Sequence, residues 1–311
     1  MMAMLNKKQL VIKIVLKRVW YLVFGIIIIA MAVQLYLLKG TPSQPLNMHQ
    51  LRSDVSYTDT PTLLIPGQGG NTITFNTFIK RAQNENIAQS AMVVRVSPTG
   101  QVRVKGSLKG KKNPLIQILY DWNYNVSFKP QMHQLTQVLI VLHQRYHVKR
   151  LNIVAHSYGG TEFLHAYLSN QRLQKEIAFQ KIVLLGVPVE ESFGTNTKYT
   201  AWLFKKSRDA EFKQLLRQVK KARFAKNEAV YNIMGKEADQ KTDGEVPNIQ
   251  SQMMATLFKN TPVKYVQRWY PKTTHRQLHE KRRSWITSCR HFGGNSIADK
   301  KEHGKTRSFC N

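Results

Sequence analysis

From residue 62 onward, short apolar runs bounded by turn-forming residues recur along the chain. They fall at 62–65, 91–96, 116–120, 151–155, 181–187, 229–234 and 263–270, and such runs predict strands. Stretches of helical length separate several of them. In 131–146, Met132, Leu135, Val138, Leu139 and Leu142 recur at three- and four-residue steps, which lines one face of a helix. Strands alternating with helices predict an α/β domain with a mostly parallel central sheet and helices on both faces. The interval 190–227 breaks the rhythm: it has no strand pattern, is dense in Lys and Arg, and carries Phe193, Tyr199, Trp202, Phe204 and Phe212. It reads as an insertion, either a cap over a site or a helical excursion packed on one edge.

Ahead of the domain, 19–38 carries no charged side chain and includes four consecutive isoleucines from Ile26 to Ile29. About 20 such residues suffice for a helix to cross hydrocarbon. Lys7, Lys8, Lys13, Lys17 and Arg18 precede it without an acidic residue among them. The positive-inside rule therefore predicts a cytoplasmic N-terminus and an exported remainder, a single-pass cell-membrane protein. Ala30-Met31-Ala32 also resembles a signal-peptidase site, and cleavage near Ala32 would instead release a secreted domain. The apolar run continues through Leu38, which favours the uncleaved anchor. Residues 39–57 turn polar and are expected to be a linker.

Composition narrows this picture in two ways. A chain of 311 residues, 42% of them hydrophobic, can fill one core of about 250 residues behind a short N-terminal segment. The 47 Lys and Arg against 18 Asp and Glu give a net charge of +29, which points toward polyanions or anionic surfaces. No zinc-finger spacing, RNA-binding aromatic signature or basic leucine zipper accompanies the charge, so a nucleic-acid partner is not expected. Anionic lipid or a cell-wall polymer suits a membrane-attached domain better. Cys289 and Cys310 both lie near the C-terminus and cannot supply a disulfide framework or a metal site for the domain.

The chemistry concentrates in one stretch, Leu151 through His156 followed by Ser157-Tyr158-Gly159-Gly160, where an apolar strand runs into a serine among small residues and then into a helix. That is the pattern of a nucleophile elbow, which lifts the serine hydroxyl out of the sheet. Ala155 stands where glycine is usual. The Tyr158 amide, at the helix start, is a candidate oxyanion donor. The Gln68 amide is the second, in the glycine-rich loop Pro66-Gly67-Gln68-Gly69-Gly70 after the first strand. No Lys-Ser pair follows that loop, so it is not a P-loop. Triad partners are expected after later strands. Asp243 in Thr242-Asp243-Gly244 is the acid, with Asp239 as fallback, and His275 is the base, with His279 as competitor. His133, His143, His147 and His165 read as surface or packing residues. His275 and His279 have the spacing of a zinc pair, but no glutamate follows the first, so neither metal nor organic cofactor is expected.

Together, the glycine loop, the Ala155-to-Gly159 elbow, the Thr242-Asp243-Gly244 loop and His275-Arg276-Gln277-Leu278-His279-Glu280 resemble the DUF915 family of α/β-hydrolases, exported or cell-surface proteins of Gram-positive bacteria. The likeness runs from about 61 to 280. It implies an α/β-hydrolase fold with Ser157, Asp243 and His275 as triad, and no particular substrate. The expected organisation is a cytoplasmic basic segment 1–18, a transmembrane signal anchor 19–38, a linker 39–57, the hydrolase domain 58–280 and an atypical basic tail 281–311. Two departures stand out. Pro66 replaces the family's usual histidine, and after Glu280 the basic tail takes the place of a proline and a closing helix, as a shifted reading frame or a truncation would produce. The expected activity is cleavage of an ester or related acyl bond of a small-molecule or lipid substrate through an acyl-enzyme. Transfer of the acyl group to an alcohol uses the same residues. The alternative from another class is a surface-attached binding protein that keeps the fold without turnover.

Overall fold

The computed structural model describes residues 2–238 and 240–281, with side chains from Ile12 onward. Asp239, both cysteines and the tail after Lys281, including its expected lack of a closing helix, lie outside the described residues. The chain forms two compact units, 1–39 and 40–311. The first is a single helix, α1 (Met2–Leu37), of which Ile12–Leu37 is long and apolar enough to cross a membrane. It begins well before residue 19, because the Lys and Arg of the basic segment are good helix formers.

The second unit runs β1 (Thr62–Ile65), α2 (Thr72–Asn84), β2 (Gln89–Val96), β3 (Val102–Gly106), β4 (Pro114–Tyr120), α3 (Lys129–Tyr146), β5 (Arg150–His156), α4 (Tyr158–Ser169), α5 (Gln171–Glu176), β6 (Ala178–Leu185), α6 (Ala210–Val219), β7 (Ala229–Lys236), α7 (Asn248–Gln252), α8 (Met254–Phe258), β8 (Lys264–Pro271) and α9 (Gln277–Glu280). The strands form one sheet in the order β3-β2-β4-β1-β5-β6-β7-β8, parallel except for the β2–β3 hairpin. This is the α/β-hydrolase fold.

The order of the strands positions the site. From β1 the chain crosses toward β2 on one side, whereas from β5 it steps toward β6 on the other. The connections leaving the carboxyl ends of these adjacent strands therefore diverge to opposite faces, and a crevice opens between them. On one face α2 buries Phe75, Phe78 and Ile79 against Leu64 and Val154; on the other, α3 and α4 bury Leu135, Leu139 and Phe163 against Leu63 and Ile153.

One strand is added to those expected, and two expectations are refined. β3 was not anticipated: its Arg103 and Lys105 interrupt the apolar pattern, and they keep this edge strand charged. Residues 39–57 are not a free linker, since from Thr41 onward they are laid over the domain. Thr41 N donates to Gln117 Oε1 (2.8 Å), Gln44 N to Gln83 Oε1 (2.7 Å) and Asn47 N to Asn86 Oδ1 (2.8 Å), and Leu46 is buried. Polar composition suggested a tether, but here the polar groups satisfy one another across the surface. The 190–227 insertion serves two roles. Phe212, Leu215 and Val219 of α6 enter the core beside α4, while the stretch before α6 is tied to the elbow through Glu191, described below.

Candidate active site

Ser157 sits between β5 and α4 at φ 53°, ψ −136°, a left-handed conformation that a residue with a side chain rarely adopts. Two hydrogen bonds hold it there: Ser157 N to Leu185 O (2.9 Å) and Gly160 N to Ser157 O (2.9 Å). The requirement for glycine at 159 comes from β1. A Cβ on Gly159 would lie 2.5 Å from Pro66 O and 2.8 Å from Ile65 O. Opposite the serine, a Cβ on Gly67 would lie 2.6 Å from Ser157 Cβ, so only glycine lets the loop after β1 come this close.

That loop is a turn closed by Gly70 N to Gly67 O (2.9 Å), with Gly69 at φ 67°. Gln68 is the second residue of such a turn, so its amide is not used in closing it. Neither the Gln68 amide nor the Tyr158 amide has an acceptor among the described residues. A residue missed at the level of sequence holds the loop in shape. Buried Asn123, in the β4–α3 connection, donates through Nδ2 to Gly67 O (2.8 Å) and Gly70 O (3.1 Å), and its carbonyl accepts from Gly69 N (2.6 Å). Gln68 Nε2 reaches Asn125 O in the same connection (2.5 Å).

Asp243 and His275 are brought together. Asp243 is buried in the loop beyond β7, and His275 is buried beyond β8. His275 Nδ1 lies 2.7 Å from Asp243 Oδ2, and His275 N donates to Asp243 O (2.7 Å). The other carboxylate oxygen accepts from Glu245 N (3.1 Å) and Val246 N (2.8 Å). A carboxylate only accepts, so Nδ1 donates to it, and in the neutral ring this leaves the lone pair on Nε2. Gly186, at φ 60°, allows the pair to form, since a Cβ there would lie 2.9 Å from both Asp243 Oδ2 and His275 Nδ1. His275 Nε2 is buried without a hydrogen-bond partner among the described residues, with Glu245 Oε2 at 3.8 Å. No hydrogen bond joins it to the Ser157 hydroxyl.

His279 sits in different surroundings. Its ring packs edge-on to His156 with centroids 4.6 Å apart. Burial is the main cause that brings its pKa down to about 4. His156 also packs against the His275 ring at 4.4 Å, and its Nε2 donates to His275 O (3.2 Å). Burial first, then the neighbouring histidines, push His156 well below its usual value. The rings meet tilted and edge-on, and no group of three His, Cys, Asp or Glu among the described residues can hold a metal ion.

The elbow is joined to the insertion. Tyr158 Oη donates to Glu191 Oε2 (2.9 Å), and burial, followed by the charge of Glu191, raises the phenol to about 12. Buried Glu190 Oε1 accepts from the hydroxyls of Ser207 (2.8 Å) and Ser192, closing the base of the excursion on itself.

The family described as an alpha/beta hydrolase of unknown function, DUF915, matches residues 49–286. The chain belongs to this DUF915 family. Among solved structures, it is similar to a gene product of Listeria innocua, at 23% identity over 74% of this chain and 92% of that one, with a TM-score of 0.64. It is also similar to a protein of Lactobacillus plantarum named as a cell surface hydrolase, at 19% identity over 74% of this chain and 88% of that one, with a TM-score of 0.58. At such identities the likeness is one of fold. No curated protein matches the sequence.

Proposed function

We propose that this DUF915 α/β-hydrolase cleaves a carboxylic ester or related acyl bond with Ser157 as nucleophile, His275 as general base and acid, and Asp243 as the group that orients the imidazole. The observation that carries the reading is the buried Asp243 Oδ2 to His275 Nδ1 bond, which leaves Nε2 as an unpaired ring nitrogen. In the proposed reaction Ser157 Oγ attacks the acyl carbon while its proton passes to His275 Nε2. The amides of Gln68 and Tyr158 stabilise the oxyanion. Collapse of the tetrahedral intermediate expels the alkoxide, which takes the proton from His275 and leaves an acyl-serine. Water, deprotonated by the same nitrogen, then attacks the acyl carbon; the second tetrahedral intermediate collapses, Ser157 Oγ leaves and regains the proton from His275, and the acid is released.

The candidate span is read as an anchor, with the basic segment in the cytoplasm and the catalytic domain outside. The net charge of +29 suits an anionic lipid or cell-wall surface there. Hydrolysis of 4-nitrophenyl butanoate tests the chemistry. Asp243→Asn, which favours the wrong tautomer of His275, is expected to lower kcat by about 10⁴-fold. A fall of less than about tenfold would remove Asp243 from the mechanism. The missing Ser157–His275 hydrogen bond is the one feature favouring a binding protein without turnover, and a folded wild type inert toward this ester would support that second reading.

A further inference from the structure

Outside the crevice, a cleft of about 490 Å³ opens at the carboxyl ends of β7 and β8, between α7 and the 190–227 insertion. This is ample for a small-molecule moiety. Lys236 at the end of β7, Lys241 just before the Asp243 loop and Lys198 from the insertion converge on it. Its apolar wall is Trp269, Tyr199 and Ile249. Tyr199 is held by a hydrogen bond of its hydroxyl with Thr256 Oγ1 (3.3 Å).

Among the described residues, none of the three lysines forms an ion pair with a carboxylate and no acidic side chain lines the cleft. Among the described residues, the neighbouring Glu237 and Glu245 carboxylates are engaged elsewhere, and Asp243 bonds His275. Glu237 Oε2 lies against Gly244, 2.7 Å from where a Cβ would sit, and Glu245 Oε2 faces His275. Three ammonium groups sharing one concavity repel each other, and its walls concentrate their field. Lys236 is half-buried, which adds a desolvation cost that a bound anion would offset. Lysine is a flexible point-charge donor suited to phosphate or carboxylate, while the exposed faces of Tyr199 and Trp269 suit the carbon skeleton beside it.

The cleft adjoins the catalytic residues through the backbone. Lys236 O accepts from Thr273 N (3.1 Å), two residues before His275, and a Cβ on Gly235 would lie 2.9 Å from Asp243 Cβ. Asn248 N of α7 donates to Lys241 O (2.9 Å). We propose that the cleft formed by Lys198, Lys236 and Lys241 with Tyr199 and Trp269 binds an anionic group that the substrate carries apart from its scissile acyl bond. The substrate class is thus an anionic acyl ester, an inference that rests on the hydrolase reading.

The test uses the detergent-solubilised full chain and three soluble butanoyl esters, those of glycerol, glycerol 3-phosphate and glyceric acid. At low salt, kcat/KM for one or both anionic esters is expected to exceed that of the neutral ester by about tenfold or more, chiefly through KM. The phosphate and carboxylate arms identify which anion is preferred. That ratio should collapse in high salt, and also in the triple variant Lys198→Gln, Lys236→Gln, Lys241→Gln once its thermal melt shows it folded. A preference for the neutral ester, or an anionic preference untouched by the triple variant, overturns the proposal. Calorimetric titration of the Ser157→Ala chain with butanoyl glycerol 3-phosphate and butanoyl glycerate reads binding without turnover. Lysine-dependent heat with no hydrolysis of any ester would uphold the cleft and contradict the hydrolase reading, whereas hydrolysis without lysine-dependent binding would do the reverse.

Discussion

At the scale of single residues, Ser157 is held where its own side chain is unfavourable. Its φ of 53° with ψ of −136° belongs to a region that glycine occupies freely, and such a conformation costs about 1–3 kcal/mol in other residues. Replacing it by glycine should relax the turn while removing the hydroxyl. Ser157→Gly is therefore expected to raise stability by about 1 kcal/mol and Tm by a few degrees, with loss of ester hydrolysis. A thermal melt showing clear destabilisation would mean that the serine side chain contributes more to packing than to strain. The same scale holds a pH dependence. His279 titrates at about 4 in the folded chain against an ordinary value of 6.5, chiefly because it is buried. Below pH 6.5 the unfolded chain thus binds the proton that the folded ring resists. Stability from this group is complete above pH 6.5 and is lost as pH falls toward 4, by at most about 3 kcal/mol. Denaturant titrations at pH 7 and pH 4.5 should show a smaller acid loss in His279→Phe than in the wild type, and an unchanged loss would place the acid sensitivity elsewhere.

At the scale of elements, the loops after β1 and β5 meet because the strands carrying them are neighbours at the switch point of the sheet. Gly67 and Gly159 make that approach sterically possible. Asn123 fixes the shape of the first loop through both Gly67 O and Gly70 O. Asn123→Ala is expected to lower kcat by roughly 10–100-fold with a much smaller change in KM, because the Gln68 amide would lose the fixed position that the proposed oxyanion contact needs. A variant changed in KM alone would assign the residue to substrate binding. The seven strands anticipated from apolar runs are all present: the inner strands are covered on both faces and leave an unbroken apolar signal, and the edge strand β8 is marked by Tyr265, Val266, Trp269 and Tyr270. β3 carries no such signal, because its alternate positions are the basic Arg103 and Lys105. The Asp243–His275 pairing was legible because each residue lies in a loop beyond a core strand. Asn123 was not, since one asparagine among Trp122, Tyr124 and Asn125 has no periodicity, and its role exists only once β4 lies beside β1.

At the scale of the whole molecule, local composition and tertiary context disagree most clearly in 39–57. Its polar residues read as a solvated tether, yet from Thr41 onward they find partners 39 to 76 residues away in sequence. No local pattern reports such pairings. The strained turn at Ser157 is the opposite case, since strand, turn and helix are contiguous and their small residues announce it. The proposed chemistry requires Ser157 to be an activated nucleophile in the folded chain. Treatment of the solubilised protein with an alkyl fluorophosphonate, read by intact mass beside Ser157→Ala, tests this most directly. One adduct on the wild type and none on the variant is the predicted result. An unlabelled wild type with a cooperative melt, or equal labelling of both proteins, would contradict it.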